Sequence, residues 1–265
     1  MKHTMRHLEG LGRSVRRLLR SPTAARPDLH QAGLLRRLIT LPVQSTAAGV
    51  DEDRAVAFFD QALQRAGFLC AEEVVPVVSE YAARKPAWRD DLLEQAHRIC
   101  HVGLPVYSMV AAPLADGFDW SNPLQGKHND RLYRLRPHRF GFLPRLAIAA
   151  SLGADTLRAI LATLERWVAH VDKTGGVADA YFSNLVVIYR LLAISWAVPF
   201  IAAKAHGGDR IAAGICLQLF QIIAADVRHL QPRFGRSVAN NHLLADRFAA
   251  WFVAICYPAL CPQSD

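Results

Sequence analysis

In the stretch SVANNHLLADRFAAWF, from Ser237 to Phe252, two amides and an imidazole (Asn240, Asn241 and His242) stand at the mouth of an otherwise apolar helical pattern. One Asn at an N-cap satisfies an orphan backbone N–H, and further amides add little to that task. The surplus suits recognition of a carboxylate, because donors at a helix N-terminus favour a bound anion. Asp246 follows His242 by one turn on the same face and is placed to orient its ring. The same four residues also read as a capping cluster with a solvated His–Asp pair.

Two other groupings carry chemical side chains. His97 and His101 are spaced i, i+4 with Cys100 beside them, a spacing by which two histidines can share a metal. No third ligand follows at ligand spacing, so the pair reads as a partly exposed helix face, and neither metal nor cofactor is expected. The segment from Val110 to Arg139 is rich in Pro, Gly, Asn and Asp and carries Trp120, His128, Tyr133 and four arginines. Such a mixture suits stacking and pairing with an anionic sugar, and it also fits a plain wrap-around connection.

The elements that must position these residues are helical, because every strong period in the chain is near 3.6. Helical patterns run from about Leu34 to Val102, with Asp51 or Asp53 near the start of DEDRAVAFFDQALQRAGF. After residue 139 come GFLPRLAIAASLG, ADTLRAILATLERWVAHV, SNLVVIYRLLAISWAVPFIAAKAHGG, DRIAAGICLQLFQIIAADVRHL and then the Asn-Asn-His helix. LGAD, KTGG and HGGD mark their ends with Gly after a helix or Asp before one. Very apolar up-down hairpins of this kind predict stacked helix pairs, either a solenoid or an α/α toroid.

A chain of 265 residues with 52% hydrophobic and 20% charged residues can bury a large core, which excludes disorder throughout. The formal charge is +8 and Arg far outnumbers Lys, which suits recognition of carboxylate or phosphate; a nucleotide bias toward Arg codons gives the same count. Five cysteines without a C-x-x-C pair read as reduced thiols. The first residues form a basic amphipathic pattern (Leu8, Leu11, Val15, Leu18, Leu19 against arginines) without a continuous apolar stretch, so the expected location is the cytoplasm. That pattern can lie on an anionic membrane surface or dock on its own domain. Leu185 to Ala203 is nearly long enough to span a bilayer, but Arg190 and Pro199 argue for buried core instead.

Three of these pieces resemble the α/α-toroid region of the heparinase II/III and alginate-lyase-like polysaccharide lyases. NNHLLADRFAAWFVAICYP resembles the family's Asn-His-Leu-Leu helix, running to an aromatic-Pro pair at Tyr257 and Pro258. DAYFSNLVVIYRLLAISWA resembles its Trp-x-Ser-x-Leu segment with Arg190 in frame, though Tyr181 stands where Trp is usual and Val186 where Glu is usual. RLRPHRFGFLPRLAIAASLG resembles the helix that begins the toroid, with Arg139 in the place of its usual Arg. The match covers about Asp119 to Pro258.

That resemblance implies β-elimination of a uronic-acid-containing polysaccharide, with Asn241 neutralising the substrate carboxylate and His242 as base or partner of the base. Arg139, Arg190, Trp120 and Tyr181 would bind substrate, with Asp246 and Asn240 behind them. It also implies a catalytic Tyr and a β-sandwich further along. The chain ends 23 residues after His242, so a truncated or split product is expected, inactive or incomplete alone and completed by a separately encoded part or by self-association. The expected fold is all-α: an incomplete α/α toroid over 110–265, a helical region over 34–109 and a basic helix with linker over 1–33. The rival function is a non-catalytic helical scaffold for an anionic polymer or a protein; nucleic acid is not an expected partner.

Overall fold

Helices form where the apolar spacing and its punctuation place them. The computed structural model describes residues 50–66, 71–115, 117–126, 130–174, 179–231 and 241–260, excepting the side chains of 63–66, 71, 241, 242 and 258. The expectations for 1–33, for the pattern up to residue 49, and for Cys70, His128, Ser237, Asn240 and Cys261 lie outside the described residues. In order come α1 (Glu52–Ala66), α2 (Ala71–Arg84), α3 (Pro86–His101), β1 (Pro105–Val106), β2 (Met109–Val110) and α4 (Arg131–Leu135). A 3-10 turn (Pro137–Arg139), α5 (Leu143–Ser151), α6 (Leu157–Lys173), a second 3-10 turn (Asp179–Tyr181), α7 (Asn184–His206), α8 (Arg210–Leu230) and α9 (Asn241–Cys256) follow. The all-α expectation holds, with one two-stranded antiparallel hairpin pairing Val106 with Met109 among the described residues.

Side-chain caps begin several of these helices. Asp51 accepts from the backbone N–H of Arg54 at 2.9 Å, Ser183 from Leu185 at 3.1 Å, and Asp209 from Ile211 and Ala212 at 2.9 and 3.1 Å. Each satisfies an orphan donor of the first turn. Gly208, at φ +87°, supplies the left-handed residue that ends α7 and turns the chain into α8. Asp155 is not the cap expected from LGAD. The helix starts after Thr156, whose buried hydroxyl donates to the Leu146 carbonyl at 2.8 Å and ties α6 to α5. Gly103 lets the hairpin fold back on α3, for a Cβ there would lie 2.4 Å from Val110 Cγ1 and 2.5 Å from the Ala111 carbonyl oxygen.

Packing sorts the long helices into two layers. In one, α7 lies between α5 and α9; in the other, α8 lies between α6 and α1. Asn184 of α7 bonds Asp246 of α9, and Ser195 bonds Tyr257 just past the end of α9. Both pairs are 62 residues apart, so α7 and α9 run parallel in matched register, with their N-termini at the same end. One core cluster runs from Ala55 to Tyr257 and crosses the boundary expected at residues 109 and 110.

Both α7 and α8 are long and apolar enough to cross a membrane, with mean hydropathy reaching 2.0 and 1.5. In this fold 72% and 61% of those windows are buried inside the protein, so most of that apolar surface is turned toward other helices. Trp196 on α7 and Leu244, Phe248 and Trp251 on α9 remain exposed.

Candidate functional site

The end of the fold where α7 and α9 begin gathers most of the residues expected to act. Asn241 opens α9, and His242 follows in its first turn; their side chains, and all of Asn240, lie outside the described residues. Asp246 is fully buried and accepts from Asn184 Nδ2 at 2.6 Å. One of its oxygens is therefore committed to joining α9 to the first residue of α7.

Tyr181 immediately precedes α7. Its half-buried ring lies 4.7 Å from the ring of His229 and 6.3 Å from that of Trp167. Burial, and then the charge of Asp226, push its phenol well above the ordinary range. Arg139 closes the first 3-10 turn and lies over the Tyr189 ring, 4.9 Å from its centroid. Arg139, Tyr181 and the start of α9 thus share one end of the molecule.

Arg190 and Trp120 are not on a substrate-facing surface. Arg190 is completely buried, its Nε and Nη2 donating to the two oxygens of Asp226 at 2.9 and 2.6 Å. Its Nη1 donates to the carbonyls of His138 at 2.8 Å and Ala180 at 3.2 Å. The guanidinium also lies over the rings of Trp167 and Tyr181, at 4.7 and 5.1 Å. A forked donor so fully engaged has little left for an external anion. Trp120 is 3% exposed, with its ring against Phe118, His138 and Phe140.

Three residues that the sequence reading did not single out complete this hub. Asp226 is the buried carboxylate. Burial raises its pKa against the opposing pull of Arg190, while in Arg190 the effect of burial is outweighed by Asp226, which keeps the guanidinium charged. His138 is fully buried and accepts from Trp167 Nε1 at 3.0 Å. Burial, then Arg190 and His170, depress its pKa well below the usual value, so the ring is neutral. Phe140 adopts a left-handed φ of 55° while fully buried, and its ring packs edge-on to Trp167 at 5.2 Å. Such a backbone costs on the order of 1–3 kcal/mol in a bulky residue and persists only where the surroundings over-determine it.

The histidine pair behaves as a surface pair: His97 and His101 are exposed with rings 4.9 Å apart, and no group of three or more metal-ligating side chains occurs among the described residues. Cys100, Cys216 and Cys256 are free and buried, their thiols pushed up by burial to about 11, 12 and 12. That makes them inert packing rather than nucleophiles.

At the opposite end, between α1 and the turn joining α7 to α8, lies a crevice of about 430 Å³ lined by Asp53, Asp60, His206, Asp209 and Arg210 among others. Asp60 pairs with His206 at 3.0 Å. Its three carboxylates make it a poor receptor for an anion, whereas the arginine-bearing end is suited to one. The chain matches no protein-family model, no curated protein and no solved structure.

Proposed function

We propose that the protein binds a uronic-acid-containing polysaccharide at the end where α7 and α9 begin, and that the two helix layers form an arc of an α/α toroid like that of the heparinase II/III-like lyases. The observation that carries this reading is the parallel register of α7 and α9, tied by Asn184 and Asp246, which brings Asn241 to the same end as Tyr181 and Arg139. An acidic polysaccharide at that end meets the positive pole of α9 and, further along α7, the Arg139 guanidinium over the Tyr189 ring.

In the lyase reaction Asn241 neutralises the substrate carboxylate, which acidifies the adjacent C–H. His242 accepts that proton, the C–H electron pair becomes the new C=C bond, and the bond to the glycosidic oxygen breaks. A donor then protonates the departing oxygen. Arg190, Asp226, His138 and Trp167 act behind this end as positioning residues, fixing the 3-10 turn of Arg139 and the approach to α7. Incubation with polyuronates, followed by ultraviolet absorbance of the unsaturated product, tests the catalytic half. Product formed by the wild type and lost in His242→Ala supports the lyase; saturable binding with no product supports the non-catalytic scaffold.

The scaffold reading has its own supporting observation. Tyr181, immediately before α7, has a phenol pushed well above the ordinary range by burial, which suits structure better than proton transfer. The exposed Trp196, Leu244, Phe248 and Trp251 supply the apolar face that self-association or a separate partner domain would cover.

A further inference from the structure

From Arg131 to Arg145 the chain carries five arginines (131, 134, 136, 139 and 145) and no acidic residue. Asp179 takes two of them, Arg134 at 3.3 Å and Arg131 at 3.7 Å. Arg136, Arg139 and Arg145 meet no carboxylate among the described residues. Three of the five lie on aromatic rings: Arg131, besides its pair with Asp179, over Phe182 at 4.1 Å, Arg136 over Tyr107 at 5.3 Å and Arg139 over Tyr189 at 4.9 Å. Those rings are 53%, 52% and 47% exposed, so the pairs sit at the surface. Arg136 and Arg145 also border a recess of about 50 Å³ beside Pro105, Pro137, Gly141 and Phe142.

The geometry points to a second stretch of the binding site: a track running from the start of α7 along α4 and the first 3-10 turn to the Tyr107 hairpin, which holds a linear saccharide bearing carboxylate or sulfate groups. The inference rests on the uronate reading given above and extends it to residues distant from Asn241. An arginine laid on a ring is ordered before the ligand arrives, and its planar fork takes a carboxylate or sulfate in a bidentate pair. Pre-ordering removes part of the entropic cost of binding. The guanidinium groups already occupy ring faces, which favours pairing with acidic groups over stacking of bare nucleobases. From Arg131 to Arg139 the helical rise spans roughly 12–16 Å, room for more than one sugar unit.

The test is calorimetric titration of the full chain and of Tyr107→Ala/Arg136→Gln with a galacturonate disaccharide, a galacturonate octasaccharide, a sulfated octasaccharide and a single-stranded octanucleotide. Both substituted side chains are exposed, and an unchanged circular-dichroism melt verifies the fold. The wild type is expected to bind one of the octasaccharides more tightly than the disaccharide, the better of the two identifying the acidic group. In the double variant the ratio of octasaccharide to disaccharide affinity falls by about ten- to hundredfold, the scale of a lost bond between charged groups. Disaccharide binding without any gain from length, or a gain that survives the double substitution, overturns the track and leaves the uronate site standing. Binding of none of the three saccharides overturns both, binding of the sulfated octasaccharide alone overturns the uronate site and keeps the track, and an octanucleotide bound as tightly as the octasaccharides overturns the saccharide assignment.

Discussion

Arg190 is the only charged side chain of α7 before Lys204, and Asp226 is the only acidic residue of α8. A lone charge in an apolar helix needs an opposite one within reach, and these two meet with both forks engaged. The pair was readable in principle, since the two helices are sequential and joined by a short turn. The resemblance instead assigns Arg190 to substrate and gives Asp226 no role. Removing one partner leaves an uncompensated buried charge, so Asp226→Ala is expected to lower unfolding free energy by about 3–5 kcal/mol in urea denaturation. Replacing both by apolar residues of similar size should cost less than the single change. Equal losses in the single and double variants would show that the pair is not the hub described.

His138 makes a second claim at this scale. Its folded pKa is depressed by burial, whereas in the unfolded chain it titrates near about 6.5. Above that value the ring is neutral in both states and its contribution is intact. As pH falls below it the unfolded chain takes up the proton first, and stability drops by up to about 1.4 kcal/mol per pH unit. Half-buried His170, also depressed by burial, adds to the same trend. Denaturation curves between pH 7 and 5 should therefore be steeper in pH for the wild type than for His138→Gln, which keeps an acceptor for Trp167. Parallel pH dependences would contradict the assignment.

At the scale of elements, the five helical patterns after residue 139 appear as α5 to α9, because period and cap residues are local signals. What period cannot reveal is which helix lies beside which. The register of α7 against α9 comes from Asn184 and Asp246, and from Ser195 and Tyr257, pairings that no helical period reveals. Trp120 shows the same limit: a Trp in a Pro- and Asn-rich loop looks available for stacking, yet it is buried against Phe118, His138 and Phe140. Asn184→Ala should remove one charged hydrogen bond from the buried Asp246 and destabilise by about 1–3 kcal/mol. Amide hydrogen exchange should then show protection falling most in α9, whose hold on α7 is lost; uniform loss across all helices would contradict a local tie.

At the scale of the whole molecule, charge separates the two ends. The α1 end presents Asp53, Asp60 and Asp209, while the end holding Arg139 and Tyr181 presents arginines on aromatic rings, three of the five without carboxylate partners. At that second end α9 opens with Asn241 and His242 in its first turn, where the anion site is proposed. The most direct measurement is calorimetric titration of a uronate disaccharide into the wild type and Asn241→Ala. The account predicts saturable binding by the wild type, weakened by about 1–3 kcal/mol in the variant with its melting temperature retained. No binding by the wild type, or equal affinity in the two proteins, would contradict it.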